Sequence, residues 1–393
     1  MPPEGSALRD VAAIAGVGAT PVWKRGASAP RTTAELAGMA TLAALEDCGL
    51  SPADIDGFAY FADGFDSNLL MEMLGIPEMR FSAGLTGTGG GSAGAIGLAA
   101  TAIATGQARA VLVLGGQVQG AQRFGTITAA HAPDPLEAFS QAAGLAGPGL
   151  IFAMLAQRHM HLYGTTRAAF CEVALSTREN AQRNPAALIR KPLTRDAYFA
   201  APMIADPHCL FDFCLETDAM VALIVTSAAQ ARDLRQTPAL VRACVHGGRR
   251  DWGRSLYWLN MPDSIFAGSG HDGIAARLWA AAGLGPQDMD CAQIYDHFTS
   301  QVVFQLEDYG FCGKGEGGDF VASGAIRADG ALPVNTDGGQ LSAGYAWGLT
   351  HVAEAVAQLR GTAATQVPGA EVALVTGGPS VLPVSGLVLR RDA

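Results

Sequence analysis

The chain contains two copies of one pattern, and that repeat limits what it can fold into more than any other feature. Residues 47–61, DCGLSPADIDGFAYF, align with residues 281–295, AAGLGPQDMDCAQIY. The match pairs Gly49 with Gly283, Leu50 with Leu284, Pro52 with Pro286, Asp54 with Asp288 and Asp56 with Asp290. Both segments read as a helix stopped by glycine, a proline turn and then a buried strand. Farther along, a helix ending Thr105-Gly106 resembles one ending Arg360-Gly361, and the strand AVLVLGG at 110–116 resembles VALVTGG at 372–378. The order is kept and the spacing between copies only widens, as expected of an old duplication with insertions in the second copy.

Each copy alternates apolar, β-rich runs with alanine-rich helical stretches, the pattern of stacked α/β layers. Strands are expected near 11–18, 56–61, 110–116 and 219–226 in the first copy, and near 239–246, 291–296, 372–376 and 385–390 in the second. The halves divide as 1–232 and 233–393. Residues 117–218 lie between two strands of the first copy and have no counterpart in the second. They mix helices, such as one over 149–163, with loops, and are expected to cap the core where substrate is recognised.

Composition narrows the function. Apolar residues make up 49% and charged residues 16%, so the chain has material for a large core and little for disordered tails. Forty-nine glycines, with abundant alanine, suit helices packed closely on sheets. A net charge of −10 with no cationic run argues against nucleic acid as the main partner. The seven cysteines are scattered and include no C-x-x-C pair, which argues against a disulfide framework or a zinc ribbon in this chain. The start, Met-Pro-Pro-Glu-Gly, lacks a secretion signal, and the most apolar stretch, 84–105, is too rich in glycine and hydroxyls to span a membrane. A reducing cytoplasm is the expected location.

Five motifs carry a resemblance over essentially the whole chain: VAAIAGVGATPVWKR at 11–25, AQRHMHLYGTT at 156–166, DPHCLFDFCLETDAMVALIVTS at 206–227, GFCGKGEGGDFVASGAI at 310–326 and NTDGGQLSAGYAWG at 335–348. In this order they resemble the thiolase superfamily, especially the branch containing the thiolase domain of sterol carrier protein x. The resemblance implies a thiolase fold of two duplicated βαβαβαββ halves in five αβαβα layers, usually dimeric and acting on acyl-CoA.

The catalytic positions depart from the family pattern. Where thiolases carry the nucleophilic cysteine ahead of a long helix, this chain has Gly89 within TGTGGGSAG. The branch's His-Asp-x-Phe motif reads Tyr295-Asp296-His297-Phe298, and its Gly-His-Pro motif reads Gly344-Tyr345-Ala346. The loop that supplies a second cysteine reads Gly377-Gly378-Pro379-Ser380. Claisen chemistry through an acyl-cysteine is therefore not available at this site. The paired tyrosines resemble the steroid side-chain aldolases, thiolase relatives that release propionyl-CoA or acetyl-CoA from a β-hydroxyacyl-CoA by retro-aldol cleavage. These work with a small partner built from an OB-fold and a zinc ribbon. The resemblance thus implies a homodimer within a larger heterocomplex, no cofactor beyond the substrate's coenzyme A, and any zinc in the partner.

A retro-aldol needs the β-hydroxyl proton removed and the developing enolate stabilised, with no covalent intermediate. By family analogy Tyr345 is the enolate stabiliser or proton donor and Tyr295 the base, although the two roles are interchangeable at this level. Gly89 is expected to widen the pocket and, with Gly378 and Gly344, to offer backbone donors to the thioester oxygen. His297 is a candidate substrate contact whose charged form would lower the Tyr295 pKa, while a nearby Asp296 would raise it. Ionising an ordinary tyrosine at neutral pH costs about 4 kcal/mol, so concerted transfer through a hydrogen-bonded tyrosine is an equal alternative.

Other features carry plainer readings. GTGGG at 87–91 suggests a dinucleotide loop, but no strand is evident before it and no acidic residue follows at the right distance. Cys209 and Cys214 read as core thiols. His159 and His161 do not share a helix face, so no metal pair is expected. Arg249, Arg250 and Arg254 read as a solvated loop, with CoA phosphates as the alternative. Two rival functions stand beside the aldolase: a non-catalytic acyl-CoA-binding subunit, and a thiolase recruiting another cysteine, for which Cys312 is the placed candidate. Dimerisation is expected through the sheet edge of the first half, with the strand at 110–116 as the apolar candidate.

Overall fold

The computed structural model describes residues 8–62, 65–85, 89–120, 123, 124, 138, 141–145, 147–249, 266–378 and 383–392. Twelve strands are described: β1 Ala12–Ala19, β2 Trp23–Lys24, β3 Gly57–Ala62, β4 Phe81–Gly84, β5 Ala110–Gln117, β6 Met203–Ala205, β7 His208–Cys209, β8 Thr217–Ser227, β9 Ala239–Gly247, β10 Cys291–Gln293, β11 Val372–Gly377 and β12 Val384–Arg391. The longer helices are α1 Thr33–Cys48, α2 Ser67–Leu74, α3 Gly91–Ala104, α4 Pro148–Tyr163, α5 Arg167–Arg183, α6 Asp272–Ala282, α7 Thr299–Asp308 and α8 Leu349–Arg360.

The duplication recurs in the geometry. Helices α1 and α6 stop at Gly49 and Gly283, both in the left-handed conformation. Each is followed by a short 3-10 turn whose acid folds back on the backbone: Asp54 accepts from Ser51 N at 2.8 Å, and Asp288 accepts from Gly285 N at 2.7 Å. The Asp56 carboxylate then accepts from Arg109 N and Ala110 N at 2.8 and 3.0 Å, pinning the start of β5. Asp290 does the same for the start of β11, accepting from Glu371 N and Val372 N at 2.8 and 2.9 Å. One aspartate thus sets the register of the neighbouring strand in both copies.

The strands of the first half run β4-β3-β5-β8-β1 and those of the second β9-β12-β11-β10. The halves join through two residue pairs between β1 and β9, Ala13 with Leu240 and Ile14 with Ala239. Alternation of side chains along the strands sorts the core into three apolar layers. Leu112 and Leu114 face α1, while Val111 and Val113 face α3. In β11, Ala373 and Val375 share that middle layer, and Leu374 turns to the outer layer with α6 and α7. Helices α3 and α8 therefore lie between strands of both halves, which gives the αβαβα order.

Three expectations need correction. Strand β5 is paired on both sides, with β8 and β3, so the edge of the first half is β4. A strand does lead toward the GTGGG run: β4 pairs in parallel with β3 and ends five residues before Gly89, with residues 86–88 outside the described set. The strand expected at 291–296 stops at Gln293. There Ile294 N donates to Asn335 Oδ1 at 2.7 Å and Asn335 Nδ2 donates to Ile294 O at 2.9 Å. A side chain takes over the ladder bonds, and the backbone is free to turn Tyr295 out of the sheet.

Candidate active site

Tyr295 follows that turn, and its backbone is held from both sides. Its N–H donates to Thr376 Oγ1 at 2.9 Å, the threonine hydroxyl donates to Gln305 Oε1 at 2.6 Å, and Gln305 Nε2 donates back to Tyr295 O at 2.9 Å. Thr376 comes from β11 and Gln305 from α7, so strand and helix together fix one residue. Tyr345 is held by one side chain of β8: its N–H donates to Thr217 Oγ1 at 2.9 Å, and that hydroxyl donates to Tyr345 O at 2.7 Å. Sequence reasoning did not find Thr217, Gln305 or Thr376, because nothing local links them to either tyrosine.

The two phenols meet. Tyr295 Oη and Tyr345 Oη lie 2.8 Å apart, both residues being buried. Phe124 and Trp347 flank the Tyr345 ring at 5.2 and 5.4 Å between centroids, so the pair sits in apolar surroundings. Burial holds the Tyr295 hydroxyl well above the ordinary tyrosine pKa, the hydrogen bond shared with Tyr345 offsets part of this, and Cys214 and Asp296 push it up further. Tyr295 at rest is therefore a neutral phenol.

Gly89 does not widen the pocket. A Cβ at position 89 would run into the Tyr295 hydroxyl and ring, so the phenol occupies the space a side chain there would fill. Gly348, with φ of +92°, packs along the same Cε2 edge, where a Cβ would come within 2.8 Å of Tyr295 Cε2. Ser92 in the first turn of α3 donates its hydroxyl to Gly89 O at 2.8 Å and keeps that carbonyl engaged. The tyrosine and the glycine are two sides of one change: the larger ring requires the missing Cβ.

Asp296 points away from the phenols. Its carboxylate accepts from Gln340 N at 2.9 Å and Leu341 N at 3.3 Å, and lies 3.0 Å from His351 Nε2. These bonds fix the π-turn Gly339–Ala343 that carries the chain into Tyr345. Gly344 donates its N–H to Gly339 O at 3.2 Å, so it shapes this turn and has no free donor for an oxyanion. Gly378 packs against the start of α3, where a Cβ would lie 2.6 Å from Gly90 Cα.

His297 is 7% exposed, and neither ring nitrogen has a hydrogen-bond partner among the described residues. Its ring stands 5.2 Å from that of Tyr295 and 4.4 Å from that of Phe152 on α4, placing it between the pair and the inserted segment. Burial keeps His297 well below the usual imidazole pKa, so the charged form invoked to lower the Tyr295 pKa is not populated near neutrality.

None of the seven cysteines is in a disulfide. Burial raises every thiol, Cys312 and Cys244 to about 12 and Cys171 to about 11. Cys209 is a core thiol, whereas Cys214 is half-buried and its N–H donates to His297 O at 3.0 Å. His159 is buried on Glu307 at 3.0 Å while His161 is exposed, and no cluster among the described residues has the makings of a metal site. Arg249 pairs with Asp272 at 2.6 Å; Arg250, Arg254, Pro379 and Ser380 lie outside the described residues. No helix among the described residues is long and apolar enough to cross a membrane.

Comparison with known proteins agrees with this fold. Residues 257–388 match the family model "Thiolase C-terminal domain-like". The chain is 40% identical to the "17-hydroxy-3-oxo-4-pregnene-20-carboxyl-CoA lyase" of Mycobacterium tuberculosis, over 97% of this chain and 100% of that protein. It is 37% identical to the "Steroid side-chain-cleaving aldolase" of Thermomonospora curvata, over 98% of this chain and all of that one. Among solved structures, an "Ltp2-ChsH2(DUF35) aldolase" superposes with a TM-score of 0.91 at 36% identity, covering 98% of this chain and 99% of that one. Human mitochondrial 3-ketoacyl-CoA thiolase shares the fold, with a TM-score of 0.70 at 16% identity over 99% of this chain and 100% of that one.

Proposed function

The chain belongs to the thiolase superfamily, in the branch of the steroid side-chain-cleaving CoA-thioester lyases, and from that premise we propose how its tyrosine pair breaks a carbon–carbon bond. The reaction is retro-aldol cleavage of a β-hydroxyacyl-CoA, a steroid side-chain thioester, to a ketone and a short acyl-CoA such as propionyl-CoA. The observation that carries the mechanism is the 2.8 Å contact between Tyr295 Oη and Tyr345 Oη in a buried, apolar setting.

The proton count explains why two neutral phenols suffice. In the overall reaction the β-hydroxyl loses its proton and the α-carbon gains one. As the Cα–Cβ bond breaks, its electron pair moves onto the thioester as an enolate and the β-carbon becomes a carbonyl. Tyr295 takes the hydroxyl proton while passing its own to Tyr345, and Tyr345 delivers its proton to the α-carbon. The pair ends as two phenols again, and neither has to exist as a resting phenolate in a site that disfavours one. The enolate oxygen is met by backbone donors at the start of α3 and at Gly378. His297, neutral and facing the cap, contacts the substrate on the side of its β-carbon.

We place a partner of the DUF35 type, an OB-fold with its own zinc ribbon, against this chain, which itself forms a homodimer through the β4 edge in the cytoplasm. The structural neighbour that pairs such an aldolase with a DUF35 protein supports this reading. The test is incubation with a β-hydroxyacyl-CoA bearing a bulky β-substituent. A ketone and a short acyl-CoA should appear without added free CoA, whereas a yield that depends on free CoA identifies thiolysis and removes the proposal.

A further inference from the structure

Behind the Gly378 loop lies a buried imidazole that the mechanism does not use. His271, fully buried at the start of α6, places Nε2 3.1 Å from Gly378 O and Nδ1 3.0 Å from Tyr309 Oη. A carbonyl only accepts, so Nε2 carries the proton, and Nδ1 must then accept from the tyrosine hydroxyl. The tautomer is thereby assigned by its partners. Tyr309 is itself anchored, since Trp279 Nε1 donates to its carbonyl at 3.2 Å and its hydroxyl lies against the backbone of β12 at Gly386. The chain of contacts runs Trp279, Tyr309, His271, Gly378, with its first three members in the outer helical layer and its last against Gly90 at the head of α3.

We propose that His271 is a positioning residue for the enolate-stabilising loop: by donating to the Gly378 carbonyl it fixes the orientation of that glycine at the reaction centre. A strong directional bond is needed there because Gly378 has φ of +96° and no side chain of its own to hold it. The inference rests on the proposed role of Gly378 toward the enolate oxygen. It assigns to His271 no contact with substrate and no proton transfer, only the orientation of a backbone group that is required more in the transition state than in binding.

Two assays separate this inference from the aldolase reading. One measures cleavage of a β-hydroxyacyl-CoA; the other follows deuterium wash-in at the α-carbon of propionyl-CoA in D2O, which needs enolate stabilisation but no carbon–carbon cleavage. His271→Leu should lower kcat and the exchange rate by about 10- to 100-fold with KM within about threefold. His271→Gln, whose amide reaches the same carbonyl, should recover most of both. Tyr309→Phe, which keeps ring volume, should lower both rates several-fold and stands in if His271→Leu does not fold. Unchanged kcat and exchange in His271→Leu or Tyr309→Phe, beside a wild type active in both assays, overturns the positioning role and leaves the aldolase intact. A wild type that exchanges but does not cleave removes the aldolase, and the exchange rates of the variants still decide on His271. A wild type inactive in both overturns both.

Discussion

Adding one methyl group at Gly89 tests the fit between the glycine and the tyrosine. In Gly89→Ala the new Cβ falls on the hydroxyl and ring of Tyr295, a ring already packed closely along the same edge by Gly348. The Tyr295 backbone cannot follow, being held by Thr376 and Gln305. The ring must tilt by about 1 Å, enough to break a 2.8 Å hydrogen bond to Tyr345. Overpacking of this kind costs about 1–3 kcal/mol, and a 1 Å displacement of a reacting group lowers turnover by about 100-fold. The assay is a cycle with Tyr295→Ala, reading urea midpoints by tryptophan fluorescence. Gly89→Ala should destabilise the tyrosine background by about 1–3 kcal/mol and the alanine background hardly at all, a coupling well above the usual error of additivity. Equal stability and turnover in wild type and Gly89→Ala would refute the packing argument.

Two further predictions follow from the buried groups. The raised thiols, Cys312 and Cys244 at about 12, leave almost no thiolate at pH 7.5, so iodoacetamide should spare turnover and Cys312→Ser should keep it within about threefold. One thiol labelled stoichiometrically with loss of activity, and protected by substrate, would revive an acyl-cysteine. Stability should peak near pH 6.5. His208 and His271 drop to about 4 in the fold and burial lowers His297 as well, so the unfolded chain binds more protons below 6.5, and stability falls as pH falls, by up to roughly 3 kcal/mol for each of His208 and His271. Glu354, raised to about 8, acts oppositely: the folded chain keeps its proton, so stability declines as pH rises from 4.5 toward 8. Thermal midpoints from pH 4.5 to 8.5 check this, and a midpoint that rises steadily as pH falls below 6.5 contradicts it.

The layered fold was legible because its cause is local. The continuous apolar runs in AVLVLGG and VALVTGG mark strands that face apolar layers on both sides, and the repeated glycine–proline–aspartate pattern marks the turn that Asp56 and Asp290 then use to set register. Strand β4 was not legible, because FSAG is four residues long with one large side chain, and its pairing comes from β3 rather than from its own composition. The expected strand at 291–296 was too long because Asn335, distant in sequence, replaces the sheet bonds of Ile294. The tyrosines stood out as replacements at motif positions. The depth of Tyr295 did not: whether Gly89 leaves a void or admits a ring depends on a residue two hundred positions away, and no spacing rule supplies that. Thr217, Gln305, Thr376 and His271 hold the site through backbone groups, where their sequence neighbourhoods carry no signal.

Turnover of the two phenylalanine variants is the measurement that bears most directly on the tyrosine relay. Tyr295→Phe and Tyr345→Phe each remove one hydroxyl of the 2.8 Å pair while keeping the ring in place. With a β-hydroxyacyl-CoA and no free CoA, each should lower kcat by about 100-fold or more with a smaller change in KM, and the double variant should be little worse than either single one, because both hydroxyls serve one proton transfer. Wild-type turnover in the folded double variant would contradict the account.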